Sequence, residues 1–572
     1  MAEEFQVSGR NAAAPFTLKL HRGDGMTLAA MNWKKGKPPR SFVGFAIEYK
    51  EPGGDRFFAL KNRLSFPGAN GEVGPNSLST LRSPIQKFRW VHFPRNAELS
   101  GEFTYRVTPV FMNDLDELSY GEQQVAAIEL RRETYPGKLN VTFTRGFVSS
   151  QAFVDRYESV APISKLLPKN ADAGLTFIPS HPKAREALAW MGFEARHAIL
   201  EVLDQAIADK KAKVRVVAYD LSEPDVVSRL EKLGSRLKVI IDDDGAHAKP
   251  GSGETQAEKR LSVSAGKKNV KRQHMGKLQH NKTIVVNGPK VKTVVCGSTN
   301  FTWRGFFVQS NNALILRGKS AIRPFLTAFD DYWKNDKPSD FGATSSAKWT
   351  SLGLDGINAK VAFSPHSKSN ALLQSIADDI GNKTKSCLFY SLAFLYQTPG
   401  VMLNAIKKVT KDKKVFVYGV SDRKVGGIDL QKPDGKVSPV FPSALTAKTA
   451  PEPFKSEPVG GGGNRMHHKF LVVDFDKPSA RVYLGSYNFS VPADTKNGEN
   501  LLLIRDRRVA VAYTIEALRI FDHYHFRVVQ KEAKTAKKKL QLAKPPRKPG
   551  EKAWWDEDYI DVRKIHDRKL FA

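Results

Sequence analysis

The chain has 572 residues, of which 41% are apolar and 26% charged. This composition is ordinary for globular proteins and excludes a wholly disordered chain, and the length allows about three or four domains. The charge is less ordinary, because 90 Lys and Arg residues face 59 Asp and Glu residues and leave a formal net charge of +31. Such an excess predicts a polyanionic partner, most simply nucleic acid, with an anionic membrane as the competing partner and solubility alone as the third explanation.

The cysteines and the N-terminal residues give an indication of the cellular compartment of the protein. Cys296 and Cys387 both lie in apolar runs typical of strands, so neither a disulfide framework nor a structural zinc cluster is expected. Residues 1–10 lack a basic start followed by an apolar core, and no run of about 18 apolar residues occurs. We therefore expect a cytoplasmic protein without a membrane anchor.

From about residue 16 to residue 147, short alternating stretches broken by Gly, Pro and Asn are typical of β-strands, as in SFVGFAIEYKEPGGDRFFALKN and GEFTYRVTPVFM. This spacing predicts an all-β sandwich over residues 1–148, and the two stretches resemble strands of immunoglobulin-like or fibronectin type III domains. The segment holds no evident cluster of titratable residues. We expect it to dock a protein partner or to present substrate.

After about residue 150, helical periodicity alternates with β-branched runs, as in AREALAWMGFEARHAILEVLDQAI followed by VRVVAYDL and RLKVIIDD. The alternation predicts an α/β fold with a buried sheet. Its second half repeats its first, since landmark residues recur at nearly the same separation. The matching pairs are His181 with His366, His280 with His467, Gly297 with Gly485, and Asn311 with Glu499. We expect one half over residues 149–345, the other over residues 346–530, and a basic tail over residues 531–572 that packs back on the body.

Two polar insertions lie just before the strongest motifs. Residues 249–279 are rich in Lys and Arg, and residues 424–464 are rich in Pro and Gly. Long loops within compact domains are usually functional lids or disordered linkers. We expect both insertions to be loops, and their position suggests the hypothesis that they contact nucleic acid or gate the site.

The tripeptide His-x-Lys occurs five times and is uninformative by itself. Only His280 and His467 open an apolar strand (HNKTIVVN and HHKFLVVD) that is followed by a second strand ending in small polar residues (TVVCGSTNF and VYLGSYNFS). Alternate residues of a strand share a face, so each histidine points to the same side as Lys282 or Lys469. A lone histidine at a strand start is commonly structural, whereas recurrence in both halves favours a functional site.

This combination resembles the phospholipase D superfamily, whose signature is His-x-Lys-x4-Asp followed by Gly-Ser-x-Asn, present twice. The resemblance covers about residues 170–530 and implies a duplicated fold with one active site, formed within a single chain. The first copy has Asn287 where the signature has Asp, as in active tyrosyl-DNA phosphodiesterases. The matching residues are His280, Lys282, Asn287, Gly297, Ser298 and Asn300 in the first copy, and His467, Lys469, Asp474, Gly485, Ser486 and Asn488 in the second.

The resemblance implies phosphodiester hydrolysis without a metal or cofactor. One neutral imidazole attacks phosphorus to give a phosphohistidine, and the other, protonated, donates a proton to the leaving oxygen and later activates water. Lys282 and Lys469 are expected to supply the positive charge that a metal ion would otherwise bring. The expected phosphate-binding side chains are Asn300, Asn488, Ser298 and Ser486.

Asn311 and Glu499 follow the two histidines at matching distances. If each lies behind the histidine of its own half, the carboxylate favours the imidazolium of His467, and the amide leaves His280 more readily neutral. This predicts His280 as the nucleophile and His467, with Glu499, as the general acid and base. The opposite assignment stays open, because coupled groups obscure such arguments. Asp474 is expected to be a structural hydrogen-bond acceptor.

The motifs do not identify what flanks the phosphate. The net charge, the basic insertions and tail, and the lack of a membrane segment favour a nuclease acting on DNA or RNA. A phospholipase D or phosphatidyl transferase acting on anionic lipids is the alternative. A non-catalytic nucleic-acid-binding scaffold is the third interpretation.

Overall fold

The computed structural model describes residues 4–68, 78–130, 133–146, 153–168, 174–395, 400–422, 428–432, 436–440 and 466–572. The chain forms two compact units, one of residues 1–132 with 511–572 and the other of residues 133–510. The helices are α1 Ala184–Ala208, α2 Pro224–Leu233, α3 Gly253–Ala265, α4 Trp303–Phe307, α5 Lys319–Lys334, α6 Pro338–Gly342, α7 Leu373–Lys383, α8 Val401–Lys411, α9 Val491–Thr495, α10 Arg507–Thr535 and α11 Val562–Leu570.

The first unit contains the expected β-sandwich of antiparallel strands. One sheet has the order β1 (Gln6–Ser8), β2 (Phe16–Arg22), β3 (Thr27–Trp33) and β8 (Arg89–His92). The other has the order β10 (Leu118–Tyr120), β9 (Glu102–Met112), β4 (Phe42–Lys50) and β5 (Phe58–Ala59), with β11 (Gln124–Glu129) also paired to β9. A separate pair joins β6 (Lys61–Asn62) to β7 (Leu78–Ser79). Alternating strand residues such as Phe16, Phe45 and Phe103 form the core.

The C-terminal residues pack on this sandwich. Trp555 is buried in the same core, and the Trp554 indole donates a hydrogen bond of 3.1 Å to the Phe42 carbonyl oxygen. Arg89 of β8 lies 2.7 Å from Asp522 and 2.8 Å from Asp567. The first unit therefore includes the end of α10 as well as the tail, so it reaches further upstream than the tail expected from the sequence.

The second unit contains two sheets. The seven-stranded sheet has the order β12 (Leu139–Phe143), β18 (Asn312–Arg317), β17 (Lys292–Gly297), β16 (Lys282–Asn287), β13 (Lys213–Ala218), β14 (Leu237–Ile241) and β15 (Val270–Arg272). The nine-stranded sheet has the order β19 (Thr350–Ser351), β20 (Asn358–Ser364), β27 (Glu499–Arg505), β26 (Arg481–Gly485), β25 (Lys469–Val473), β21 (Cys387–Leu392), β22 (Phe416–Asp422), β23 (Ile428–Gln431) and β24 (Val437–Val440).

Six consecutive strands of one sheet match six of the other. The order β12, β18, β17, β16, β13, β14 corresponds to β20, β27, β26, β25, β21, β22. In each half the last two strands run parallel and are linked by a helical crossover, through α2 or α8, as parallel pairing requires. The predicted duplicated α/β fold with an N-terminal β-sandwich is confirmed.

Two details differ from the sequence expectations. Residues 139–143 form β12, which pairs with β18, so the sandwich ends before residue 148. The sequence pattern identified a strand there, but it could not say which sheet the strand joins. Residues 249–279 are not a loop, because they hold α3 and β15. The Ser252 hydroxyl caps α3 by accepting the Thr255 N–H at 3.1 Å, and Leu261 lies on its buried face.

Three of the eight basic residues of that segment form ion pairs within the fold, and the five others are exposed lysines. Arg260 binds Glu231 at 2.6 Å, and Arg272 binds Glu258 at 2.9 Å. Of the second insertion, Ile428–Gln431 and Val437–Val440 form β23 and β24, and most of the remainder lies outside the described residues. Among the helices of the described residues, none is long and apolar enough to cross a membrane.

Candidate active site

The two His-x-Lys motifs meet at one place in the second unit. His280 lies just before β16 and His467 just before β25, while Lys282 and Lys469 are the first residues of these strands. All four side chains are buried. The imidazole centroids are 6.4 Å apart. A single chain therefore brings both motifs into one site.

The two halves join through reciprocal parallel bridges beside the histidines. Gln279 pairs with Gly498, and Ser310 pairs with Met466. The first bridge brings the start of β27 against His280, and the second brings the start of β18 against His467. Each histidine therefore meets residues of the other half.

This exchange determines which side chain lies behind each imidazole. His280 Nδ1 is 2.8 Å from Glu499 Oε2. His467 Nδ1 is 2.9 Å from Asn311 Oδ1 and 3.1 Å from the Ser298 carbonyl oxygen. The expectation that Glu499 supports His467 and Asn311 supports His280 is wrong, because the supporting residues cross between the halves.

Burial is the main influence on the charges of the site. Burial, together with Lys282 and Lys469, lowers the pKa of His280 and that of His467 well below the ordinary value. Burial likewise raises the pKa of Glu499 to about 8. The buried carboxyl of Glu499 and the buried imidazole of His280 therefore each resist ionisation.

The two lysines adopt the same arrangement in both halves. Lys282 Nζ donates to the His280 carbonyl oxygen at 2.5 Å, and Lys469 Nζ donates to the His467 carbonyl oxygen at 2.8 Å. Burial lowers the pKa of Lys282 to about 8 and that of Lys469 well below its usual range. An ammonium has three N–H donors, so each lysine retains donors for an anion beside the imidazoles.

The Gly-Ser pairs after β17 and β26 have a structural explanation. Gly297 and Gly485 have φ values of 135° and 140°, and a Cβ at either position would collide with the backbone of the neighbouring strand. The Ser298 hydroxyl donates to Asn311 Oδ1 at 2.9 Å, and the Ser486 hydroxyl accepts the Asn500 N–H at 3.0 Å. These buried hydroxyls bind the neighbouring strands and Asn311, and their contact with phosphate stays a prediction.

The two asparagines of the signature lie differently. The Asn300 amide donates a hydrogen bond to Asp220. Oδ1 of Asn300 and Oδ1 of Asn488 are both buried and make no hydrogen bond with any described residue. These oxygens are acceptors, as phosphoryl oxygens are, so a donor that remains for a phosphate is the second N–H of the Asn300 amide.

Asp474 and Asn287 lie at the far ends of their strands from the histidines. Asp474 accepts backbone N–H groups of Lys385 and Ser386, at 3.0 and 2.8 Å, as expected for a structural acceptor. Asn287 is exposed. In the first half a carboxylate from another position, Asp209, accepts the Lys290 N–H at 2.9 Å and anchors the hairpin of β16 and β17.

Sequence reasoning missed a cluster of charged residues beside His280. His247 Nε2 lies 2.8 Å from Asp220, and its Nδ1 lies 2.7 Å from Asp242. The Tyr219 ring centroid is 4.6 Å from the rings of both His247 and His280. Tyr219, Asp220 and Asp242 directly follow β13 and β14. Because the carboxyl ends of neighbouring parallel strands share one edge, this position was a usable signal.

Within the described part of the chain, one group of side chains is close enough to hold a metal ion. The candidate ligand atoms of Asp220, His247 and Glu254 lie within 4.8 Å of one another. Both His247 nitrogens, however, already face carboxylates. Although burial opposes it, hydrogen bonds to Asp220 and Asp242 raise the pKa of His247 to about 10. The cluster is arranged as an ion-paired imidazolium between carboxylates.

Comparison with known proteins gives a match in each half. A family described as "Cardiolipin synthase, PLD-like domain" matches residues 203–333 and 376–521, which contain one His-x-Lys motif each. A stretch of 47 residues is 45% identical to "Phospholipase D" of Rickettsia prowazekii (strain Madrid E), covering 8% of this chain and 21% of that protein. A stretch of 59 residues is 42% identical to "Mitochondrial cardiolipin hydrolase" of Xenopus tropicalis, covering 10% of this chain and 26% of that protein. The chain thus spans only about a fifth to a quarter of these relatives.

Two solved structures are also similar. Phosphatidylserine synthase of Haemophilus influenzae Rd KW20 aligns with 14% identity and a TM-score of 0.40 over 59% of this chain and 92% of that chain. Nuc of Salmonella typhimurium, a phospholipase D family member, aligns with 27% identity and a TM-score of 0.20 over 24% of this chain and 87% of that chain. The match to the PLD-like domain family, repeated around the paired motifs, identifies residues 203–333 and 376–521 as phospholipase D-like.

Proposed function

We propose that this chain is a metal-independent nuclease that cleaves phosphodiesters through a covalent phosphohistidine on His467. The crossed arrangement behind the histidines carries the proposal, since Glu499 contacts His280 and Asn311 contacts His467. The physical argument made from the sequence, that a carboxylate behind an imidazole favours the imidazolium, still applies. Because the carboxylate lies behind His280 and not behind His467, the argument now assigns the opposite roles to the two histidines. The carboxylate-backed residue, His280, becomes the general acid and base.

In the first step His467 acts as a neutral imidazole. Its Nδ1–H donates to Asn311 Oδ1, so the lone pair on Nε2 is available to attack phosphorus. The P–N bond forms as the bond from phosphorus to the leaving oxygen breaks. His280 gives its Nε2 proton to that oxygen, and the Glu499 carboxylate stabilises the imidazolium until the transfer.

In the second step His280, now neutral, removes a proton from water. The resulting hydroxide attacks phosphorus, and the P–N bond breaks to restore neutral His467. Lys282 and Lys469 stabilise the negative charge on the phosphoryl oxygens in both steps, and this stabilisation is large because the site is buried. A phosphodiester anion also offsets the lysine charges that disfavour the imidazolium of His280.

Nucleic acid is the proposed substrate class because of charge. The net charge of +31 favours a polyanion over an isolated phosphodiester. The names of two curated relatives, "Phospholipase D" and "Mitochondrial cardiolipin hydrolase", favour phospholipid as the second candidate. Both substrates present a phosphodiester to the same residues, so the site chemistry is common to the two.

The substrate class is tested by incubating the full chain with single-stranded DNA, plasmid and RNA, and in parallel with cardiolipin-containing vesicles, all in excess EDTA. His181→Ala is the matched control, because His181 also belongs to a His-x-Lys tripeptide but hydrogen-bonds the Ala161 carbonyl oxygen instead of joining the site. We expect nucleic acid cleavage by the intact chain and by this control, and none by His280→Ala or His467→Ala. Headgroup release from vesicles without nucleic acid cleavage would establish the lipid substrate instead.

A further inference from the structure

The charged cluster next to His280 is connected to the phosphate-binding groups of the site. Asp220 accepts a hydrogen bond from the Asn300 amide through Oδ2 and faces His247 through Oδ1. Asp242 faces the other nitrogen of His247 and also accepts the Gln279 N–H at 2.6 Å, one residue before His280. The cluster therefore holds one side of the site at several points.

The cluster is itself firmly held. Arg272 donates to the carbonyl oxygens of Asp242 and His247, at 2.8 Å in both cases. Buried Glu254, on α3, accepts the Leu221 N–H at 3.1 Å just after Asp220. A side chain that several contacts hold in place can orient a flexible neighbour, because folding has already restricted the conformations of that side chain.

Among the described residues, Asp422 of the second half takes the register position of Asp242, whereas the positions of Tyr219 and Asp220 differ. In register, Ala218 lies opposite Lys282 and Leu392 lies opposite Lys469. The residues corresponding to Tyr219 and Asp220 are consequently Ala393 and Phe394. Asp220 therefore has no counterpart at its register position in the second half, so the fold of a half does not require it, which favours a role in the chemistry of the shared site.

We propose that Asp220, held by its contact with His247, is a positioning residue that orients the Asn300 amide and the Lys282 side chain for the phosphoryl group. The inference rests on the proposed phosphodiesterase activity. An amide has two N–H groups, so with one donated to Asp220 the other remains for a phosphoryl oxygen. Lys282 Nζ lies 4.7 Å from the ring centroid of Tyr219, the residue before Asp220. Against burial, the carboxylates of Glu499, Asp220 and Asp242 favour the charged form of Lys282.

The first test is a double-mutant cycle on Asp220 and Asn300 with bis(p-nitrophenyl) phosphate, a small diester whose turnover does not depend on the natural substrate class. We expect Asp220→Ala and Asn300→Ala each to lower kcat/KM about tenfold, and the double variant to lose no more than either one. Asp209→Asn is the control, since that carboxylate anchors the far end of the same sheet. It should leave kcat/KM unchanged. Additive losses from Asp220→Ala and Asn300→Ala would overturn the proposal.

The second test measures the protonation of Lys282 and does not depend on catalytic activity. The pH dependence of reductive methylation of Lys282, followed by mass spectrometry of the full chain, reports its protonation. Asp220→Asn keeps the side-chain shape and a hydrogen-bond acceptor but removes the charge. We expect the midpoint for Lys282 to fall by about one pH unit in this variant and to stay constant in Asp209→Asn.

The two tests separate the inference from the proposed function. If the intact chain turns over no phosphodiester, the proposed function fails, while the methylation midpoint still tests the coupling of Asp220 to Lys282. An unchanged midpoint overturns that coupling. If Zn²⁺ binds the intact chain stoichiometrically and Asp220→Ala abolishes the binding, the cluster is a metal site and the positioning role is overturned.

Discussion

Glu499 of the second half lies behind His280 of the first, with 2.8 Å between the carboxylate oxygen and Nδ1. The reciprocal contact, between Asn311 of the first half and His467, has an amide in place of the carboxylate. The two halves are similar in fold, but this single difference makes the two imidazoles chemically unequal. The following predictions depend on that inequality and on the buried charges around it.

Glu499→Gln removes the charge behind His280 and keeps the side-chain size. We expect the rate of the first step to fall about 100-fold for a diester with an alkoxide leaving group, because that oxygen needs a proton from His280. A p-nitrophenolate leaving group needs no proton, so its release should change little. Pre-steady-state burst rates with the two diesters measure this first step, because the second step needs His280 as base with either leaving group. An equal loss of burst rate for both diesters would contradict the role of Glu499.

Asn311→Asp places a carboxylate behind His467. A carboxylate raises the pKa of the imidazole, and His467 attacks only when neutral, so the acid limb of the kcat/KM profile should move to higher pH. The measurement is the pH profile of the intact chain and the variant with the same diester. A variant that is faster at neutral pH, with an unmoved acid limb, would argue against His467 as the nucleophile.

We predict that activity falls at alkaline pH because Lys282 loses its proton there. Burial lowers its pKa to about 8, and the ammonium is the form that stabilises the phosphoryl charge. Activity should therefore be retained below pH 8 and fall as the pH rises through about 8. Lys282→Arg keeps its charge at high pH and should move this limit upward, at reduced kcat because the planar guanidinium does not reproduce the ammonium geometry. An unmoved limit in Lys282→Arg would exclude Lys282 as its origin.

Asp474→Ala should lower the free energy of unfolding more than it changes catalytic activity. Its buried carboxylate accepts backbone N–H groups of Lys385 and Ser386, and the variant leaves them unsatisfied, at a cost of about 2–4 kcal/mol in the free energy of unfolding. Asn287→Ala is the matched control because Asn287 is exposed, and it should change stability by less than about 0.5 kcal/mol. Urea unfolding compares the two, and equal effects would show that Asp474 is not the anchor.

Salt should distinguish a nucleic acid substrate from a small one. Release of counterions makes binding of a polyanion fall steeply with salt, in proportion to the number of phosphates contacted. We expect kcat/KM for a single-stranded oligonucleotide to drop strongly between about 50 and 200 mM NaCl, while that for bis(p-nitrophenyl) phosphate changes little. If kcat/KM depended only weakly on salt for both substrates, the argument from charge for a nucleic acid substrate would no longer hold.

The sequence predicts the site best where the signal is local. His280 and Lys282 share a strand face because of the two-residue period, and the copy at His467 and Lys469 repeats it, so both pairs could be found without a structure. The residue behind each histidine could not. It depends on how the halves meet, through bridges such as Gln279 with Gly498 that join residues far apart in the chain.

Charge composition was misleading in a similar way. Residues 249–279 contain many lysines and arginines, which obscured the capped helix α3 with Leu261 on its buried face. Several of these basic side chains form ion pairs within the fold, as Arg260 does with Glu231. A count of charges does not distinguish an ion-paired arginine from one that is available to a ligand.

The assignment of the nucleophile is tested most directly by trapping the covalent intermediate. p-Nitrophenolate leaves without a proton from the general acid His280, whereas hydrolysis of the phosphohistidine still needs His280 as the base. His280→Ala should therefore give a burst of p-nitrophenolate and accumulate a phosphoryl adduct on His467, located by mass spectrometry at alkaline pH, and His467→Ala should give neither. A burst from His467→Ala, with the adduct on His280, would contradict the account.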